Sequence, residues 1–80
     1  MLVTVTAEDI KNGMSHPKYC PIALALNRVG FKRVKVNETE IRLGECVIPT
    51  SKVMQRFIDR FDHGQPVQPT RFRIKSCLSQ

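Results

Sequence analysis

The stretch Arg33-Val34-Lys35-Val36-Asn37-Glu38-Thr39-Glu40-Ile41-Arg42-Leu43 decides the fold class. Apolar and charged residues alternate on both sides of Asn37-Glu38-Thr39, the period of a strand with one buried face. The two runs therefore read as a hairpin, with a weak turn because no glycine follows Asn37. Gly44-Glu45 breaks the second run, and Cys46 to Ile48 is a further extended piece closed by Pro49.

Helices are expected on either side of this hairpin. Upstream, Cys20-Pro21 opens one, since proline at the first helical position loses no hydrogen bond. Ile22, Ala25, Leu26 and Val29 form one stripe at helical spacing, and Ala23 and Leu24 widen it. Gly30 supplies the left-handed stop, with Phe31 folding back on the last turn. Downstream, Thr50 or Ser51 caps a helix running from Ser51 to His63. Its core face is Val53, Met54, Phe57, Ile58 and Phe61, and the spacing predicts that this face packs on the sheet. Gly64 ends it.

The ends of the chain complete the pattern. Leu2 to Val5 reads as a strand, and Thr6 caps a short helix that Asn12-Gly13 stops. Glu8 and Asp9 suit the first turn of that helix. Gly13 to Tyr19 is a loop. Gln65 to Pro69 is extended and polyproline-like. Thr70 to Lys75 alternates Phe72 and Ile74 with Arg71, Arg73 and Lys75, a last strand, and residues 76–80 form a tail. Strands with one apolar face need helices on one side only. The expected fold is α+β, a two-layer sandwich with a small, mainly antiparallel sheet and its helices on one face. Residues 1–80 make a single domain, with no internal repeat and no linker.

Length and charge narrow the function. A chain of 80 residues buries one modest core and excludes a large enclosed site with a lid. Hydrophobic residues make up 41% and charged residues 25%, which fits a globular protein and argues against disorder. The net charge of +6 is concentrated beyond residue 31, where ten cations face five anions. Such an excess favours an anionic partner, whereas the plain alternative is solubility. The longest apolar run, Pro21 to Leu26, is far short of a membrane span, so no membrane partner is expected. The opening residues lack the basic and apolar stretches of an export signal. Cys20, Cys46 and Cys77 are widely spaced and odd in number, and the expectation is a cytoplasmic protein with reduced thiols.

No constellation argues for an enzyme. Cys20 at a helix N-terminus, with His16 four residues earlier, could form a thiolate pair. No third group orients it, however, and a capping and packing role fits better. His16 and Cys20 make half a zinc site at best, so no metal or cofactor is expected. The carboxylates Glu8, Asp9, Asp59 and Asp62 are explained by helix termini and helical pairing.

The basic faces are the most informative feature. If the strands pair, Arg33, Lys35, Arg42, Arg71, Arg73 and Lys75 share one open sheet face. Lys52, Arg56 and Arg60 form a second basic face on the last helix. The sheet face could track phosphates. It lacks outward aromatics for stacking bases, because Phe72 points inward. Charge on open strands also protects sheet edges, and an acidic protein surface would suit the same arrangement.

One resemblance covers most of the chain. Thr6-Ala7-Glu8-Asp9-Ile10-Lys11-Asn12-Gly13 precedes Cys20-Pro21-Ile22-Ala23-Leu24-Ala25. Phe57-Ile58-Asp59-Arg60-Phe61-Asp62-His63-Gly64-Gln65-Pro66-Val67-Gln68-Pro69 follows, then Phe72. This order resembles small uncharacterised bacteriophage and prophage proteins, with the hairpin least alike. It implies a phage accessory protein acting inside a host bacterium, and no functional residues carry over. The first expectation is therefore a non-enzymatic protein that binds a host protein or ribonucleoprotein stoichiometrically, as anti-defence (anti-CRISPR-like) inhibitors do. The alternative is weak, sequence-independent nucleic-acid binding by the basic sheet face. A redox or metal protein built on His16 and Cys20 trails both.

Overall fold

The computed structural model describes residues 2–74. The elements run β1 (Leu2–Val5), α1 (Ala7–Asn12), α2 (Pro21–Val29), β2 (Val34–Val36), β3 (Glu40–Leu43), β4 (Cys46–Pro49), α3 (Lys52–Asp62) and β5 (Thr70–Arg73). The fold is α+β, and every strand pairing is antiparallel. The strands form two sheets, however, and not the single expected one: a β1–β5 ladder and a β2–β3–β4 meander. One edge of the meander is β2. Its Val36 N–H donates to the carbonyl of Pro17 at 2.9 Å, so the loop before α2 occupies a strand position. α2 packs against both β1 and β2 and so joins the sheets through its side chains.

The expected hairpin is β2–β3, with Val36 opposite Ile41 and Val34 opposite Leu43. All four side chains are buried, as the alternation requires. Gly44-Glu45 turns the chain rather than merely ending β3, and β4 returns alongside it with Val47 opposite Arg42. In the other sheet Val3 lies opposite Phe72, and both are buried.

α2 is the centre of the core. Pro21, Ile22, Ala23, Ala25 and Leu26 are buried, a wider face than one stripe, whereas Val29 at its last turn is exposed. Cys20 caps it, its Sγ accepting the Ala23 N–H at 3.4 Å. Gly30 has φ +117°, a conformation that disfavours any side chain, and the Phe31 N–H donates to the Leu26 carbonyl.

α3 is capped by Ser51, which accepts the Met54 N–H at 3.3 Å. Thr50 serves elsewhere, its buried hydroxyl donating to the Asn37 carbonyl and tying α3 to the β2–β3 loop. Met54, Phe57 and Ile58 are buried, and Phe61 is half-buried. Val53, expected in this face, is instead 61% exposed. At 3.6 residues per turn it lies about 90° from the centre of the buried set, on the margin beside Arg56 and Arg60. Phe57, Ile58 and Phe61 border a small hollow with Cys20, Pro21 and Ile22, so α3 rests on the start of α2. Met54, Phe57 and Ile58 join the same buried core as the inward side chains of both sheets. The expected tail at 76–80 lies outside the described residues.

α1 is held by more than its cap. Thr6 and Asp9 form a reciprocal capping box, with Thr6 Oγ1 accepting the Asp9 N–H and Asp9 Oδ2 accepting the Thr6 N–H. Asp9 is buried, and its other carboxylate oxygen accepts from Arg28 of α2. Arg28 also donates to the Thr4 carbonyl at 2.8 Å. One buried carboxylate therefore links α1, α2 and β1. Burial alone would push the Asp9 carboxyl up, but the bonds from Arg28 and Thr6 and the Arg28 charge hold it below the usual range.

Candidate functional site

The Gly13–Cys20 loop is wound tightly enough to present its side chains in fixed directions. The Met14 N–H donates to the Tyr19 carbonyl at 2.8 Å, and the Tyr19 and Cys20 N–H groups both donate to the His16 carbonyl. Gly13 permits this path: a Cβ there would sit 2.7 Å from the Pro21 ring. His16 Nδ1 accepts the Lys18 N–H at 3.1 Å. The His16 ring lies 4.9 Å from that of Tyr19, tilted by 37°. Tyr19 keeps 52% of its surface exposed. Because Pro17 bonds to β2, this loop delivers Lys18 and Tyr19 to the rim of the meander.

On the meander's outer face Lys35 of β2 and Arg42 of β3 stand directly opposite each other. Facing like charges disfavour folding, and Arg42 is partly compensated by Glu40 at 2.9 Å. Arg33 precedes β2 in a left-handed backbone conformation, φ +55°, the one non-glycine residue with positive φ among the described residues. Its guanidinium passes over Gly44, with Nη2 3.5 Å from where a Cβ would be. Lys18, Tyr19, Asn27, Arg33, Lys35 and Arg42 together line an open groove of about 440 Å³, and no acidic side chain lines it.

The expected six-residue basic face does not form as one sheet surface. Arg33, Lys35 and Arg42 gather in the groove, but Arg71 and Arg73 belong to the other sheet, opposite Thr4 and Leu2. They are exposed as the alternation predicts. Lys75 lies outside the described residues. Lys52, Arg56 and Arg60 are exposed on α3 as expected. Arg56 and Arg60, with Val53, border a second groove of about 810 Å³, closed opposite by residues 65–70.

Three groove residues went unread in the sequence: Lys18, Tyr19 and Asn27. The strands themselves carry no outward aromatic, as expected with Phe72 buried, but Tyr19 of the neighbouring loop lines the groove beside them. A lone tyrosine in a polar loop carries no local signal, since its place beside β2 is set by tertiary contacts, the Pro17–Val36 bond among them.

The thiol and carboxylate candidates find structural roles. Burial pushes the Cys20 thiol up more than the N–H groups of Ala23 and Ile22 pull it down, which suits a cap and not a nucleophile. Cys46 is disulfide-bonded, so the expectation of uniformly reduced thiols fails there. Asp59 pairs with His63 one turn on, at 3.4 Å. Among the described residues no three His, Cys, Asp or Glu side chains gather as a metal site would require. No helix among them is long and apolar enough to cross a membrane. Comparison with known proteins gives no match to any family model, curated protein or solved structure.

Proposed function

We propose that this protein is a non-enzymatic binding protein that acts stoichiometrically on a host protein or ribonucleoprotein, a phage accessory factor of the anti-defence kind. The observation that carries the reading is the groove between the Gly13–Cys20 loop and the β2–β3 hairpin. Four cations converge there with no acid in the lining. A concentration of one charge sign speeds encounter with an oppositely charged surface and holds it. Two costs fall at this same place, the Lys35–Arg42 opposition and the left-handed Arg33, and strain of this kind collects where a ligand is engaged. The resemblance to phage proteins supplies the context of a bacterial host.

The test is capture from bacterial lysate by the immobilised chain, with and without nuclease, beside Lys35→Glu/Arg42→Glu. A captured partner should saturate at a fixed molar ratio, and the double variant should release it. Capture unchanged in the double variant would disprove the role of the groove. Direct nucleic-acid binding is the second reading, and the exposed Tyr19 is the observation in its favour.

A further inference from the structure

We infer that the groove takes a single-stranded nucleic acid, with an unpaired base stacked on Tyr19 and neighbouring phosphates on Arg33, Lys35 and Arg42; this rests on the groove being the binding surface. Phosphate attraction alone would need only cations. An aromatic at the edge of a cationic groove adds a surface on which any unpaired base stacks, the arrangement by which single strands are held without sequence preference. Tyr19 is suited to that use. It is half-exposed, its backbone is pinned by bonds to Met14 and His16, and its ring has the His16 ring beside it. A side chain already ordered loses little freedom when a base settles on it.

The rest of the lining is consistent with one occupant. Arg33 and Arg42 offer planar donors that match phosphate oxygens, and Lys35, opposite Arg42 across the hairpin, supplies a third charge. Asn27, exposed on α2, brings both a donor and an acceptor to a base edge. A duplex fits less well, because its bases are stacked within the helix and leave none for Tyr19. An acidic protein would use the cations but has no need of the ring. The exposed strand of a ribonucleoprotein meets every requirement.

The experiment is fluorescence anisotropy with a labelled oligouridylate of about ten nucleotides. The comparison ligands are an abasic strand of equal length, a duplex and polyglutamate. The chains are wild type, Tyr19→Leu, Tyr19→Phe and Lys35→Glu/Arg42→Glu. Wild type should bind the oligouridylate about tenfold more tightly than the abasic strand. Tyr19→Leu should erase that difference, Tyr19→Phe should keep it, and the double reversal should abolish binding to both. Equal binding of the two strands, or indifference to Tyr19→Leu, overturns the stacking inference but leaves an anion-binding groove. Binding of polyglutamate without either strand overturns it in favour of an acidic protein. Failure to bind any polyanion overturns both the inference and the reading beneath it.

Discussion

The β1–β5 ladder and the β2–β3–β4 meander are built from similar strands and do different work. The ladder joins the two ends of the described chain, so its pairing closes the largest possible loop. It is secured by buried Val3 and Phe72 and by the Asp9–Arg28–Thr4 link. Its outer arginines stand opposite neutral residues. The meander closes locally through short turns, which makes it cheap to form. It carries a facing pair of like charges and a left-handed arginine. Both sheets bury their inward side chains, but the unfavourable features lie on the sheet whose pairing is local.

The sharpest way to break this comparison is to remove the ladder's core. Phe72→Ala should cost about 3–5 kcal/mol, a large share of what a domain of this size has in reserve. Urea unfolding should show the midpoint collapse, and near-wild-type stability would mean that the ladder does not hold the fold together. Next is the buried link. Asp9→Asn loses charge-assisted bonds worth about 2 kcal/mol near neutral pH. The sign follows from the carboxyl being held low. Its contribution is complete above the ordinary aspartate value of 3.8 and is lost as pH falls through the lower folded value. The wild type should therefore lose its advantage over Asp9→Asn in strong acid. A gap that stays constant with pH would remove the charge from the account.

A smaller effect of opposite sign is expected in the meander. Arg33→Gly relieves a conformation that costs a side-chain residue about 1 kcal/mol, so stability should hold or rise slightly while polyanion binding weakens. Loss of stability together with binding would show that Arg33 serves folding. The smallest effect should come from Arg71→Glu/Arg73→Glu. Both side chains are exposed on the ladder, so stability should change by only about 0.5 kcal/mol. Groove binding should persist in this variant and vanish in Lys35→Glu/Arg42→Glu. Equal loss in the two would place both sheets in one binding surface.

Much of the fold is legible in the sequence because it rests on neighbours along the chain. The caps at Thr6, Cys20 and Ser51 act on N–H groups three residues away. The Gly30 stop and the alternation of Val34, Val36, Ile41 and Leu43 are equally local, and so are the exposed positions of Lys35, Arg42, Arg71 and Arg73. Half of the candidate site can be read in this way, as charges on or beside the hairpin strands.

The other half depended on tertiary structure. Alternation says that a side chain faces out, but not which outward side chains meet. The four strands and the extended piece make two sheets, and at the β2 edge the carbonyl of Pro17 takes a bond that a further strand would have made. Arg71 and Arg73 fall in the other sheet, and Lys18 and Tyr19 join the hairpin cations instead. Asp9 and Arg28 likewise each look like ordinary helix-end charges until α1 and α2 pack together. Periodicity and capping are short-range and leave marks in a window of a few residues. Long-range pairing is chosen by the competition of whole elements for the same core, and no single stretch of the chain records its outcome.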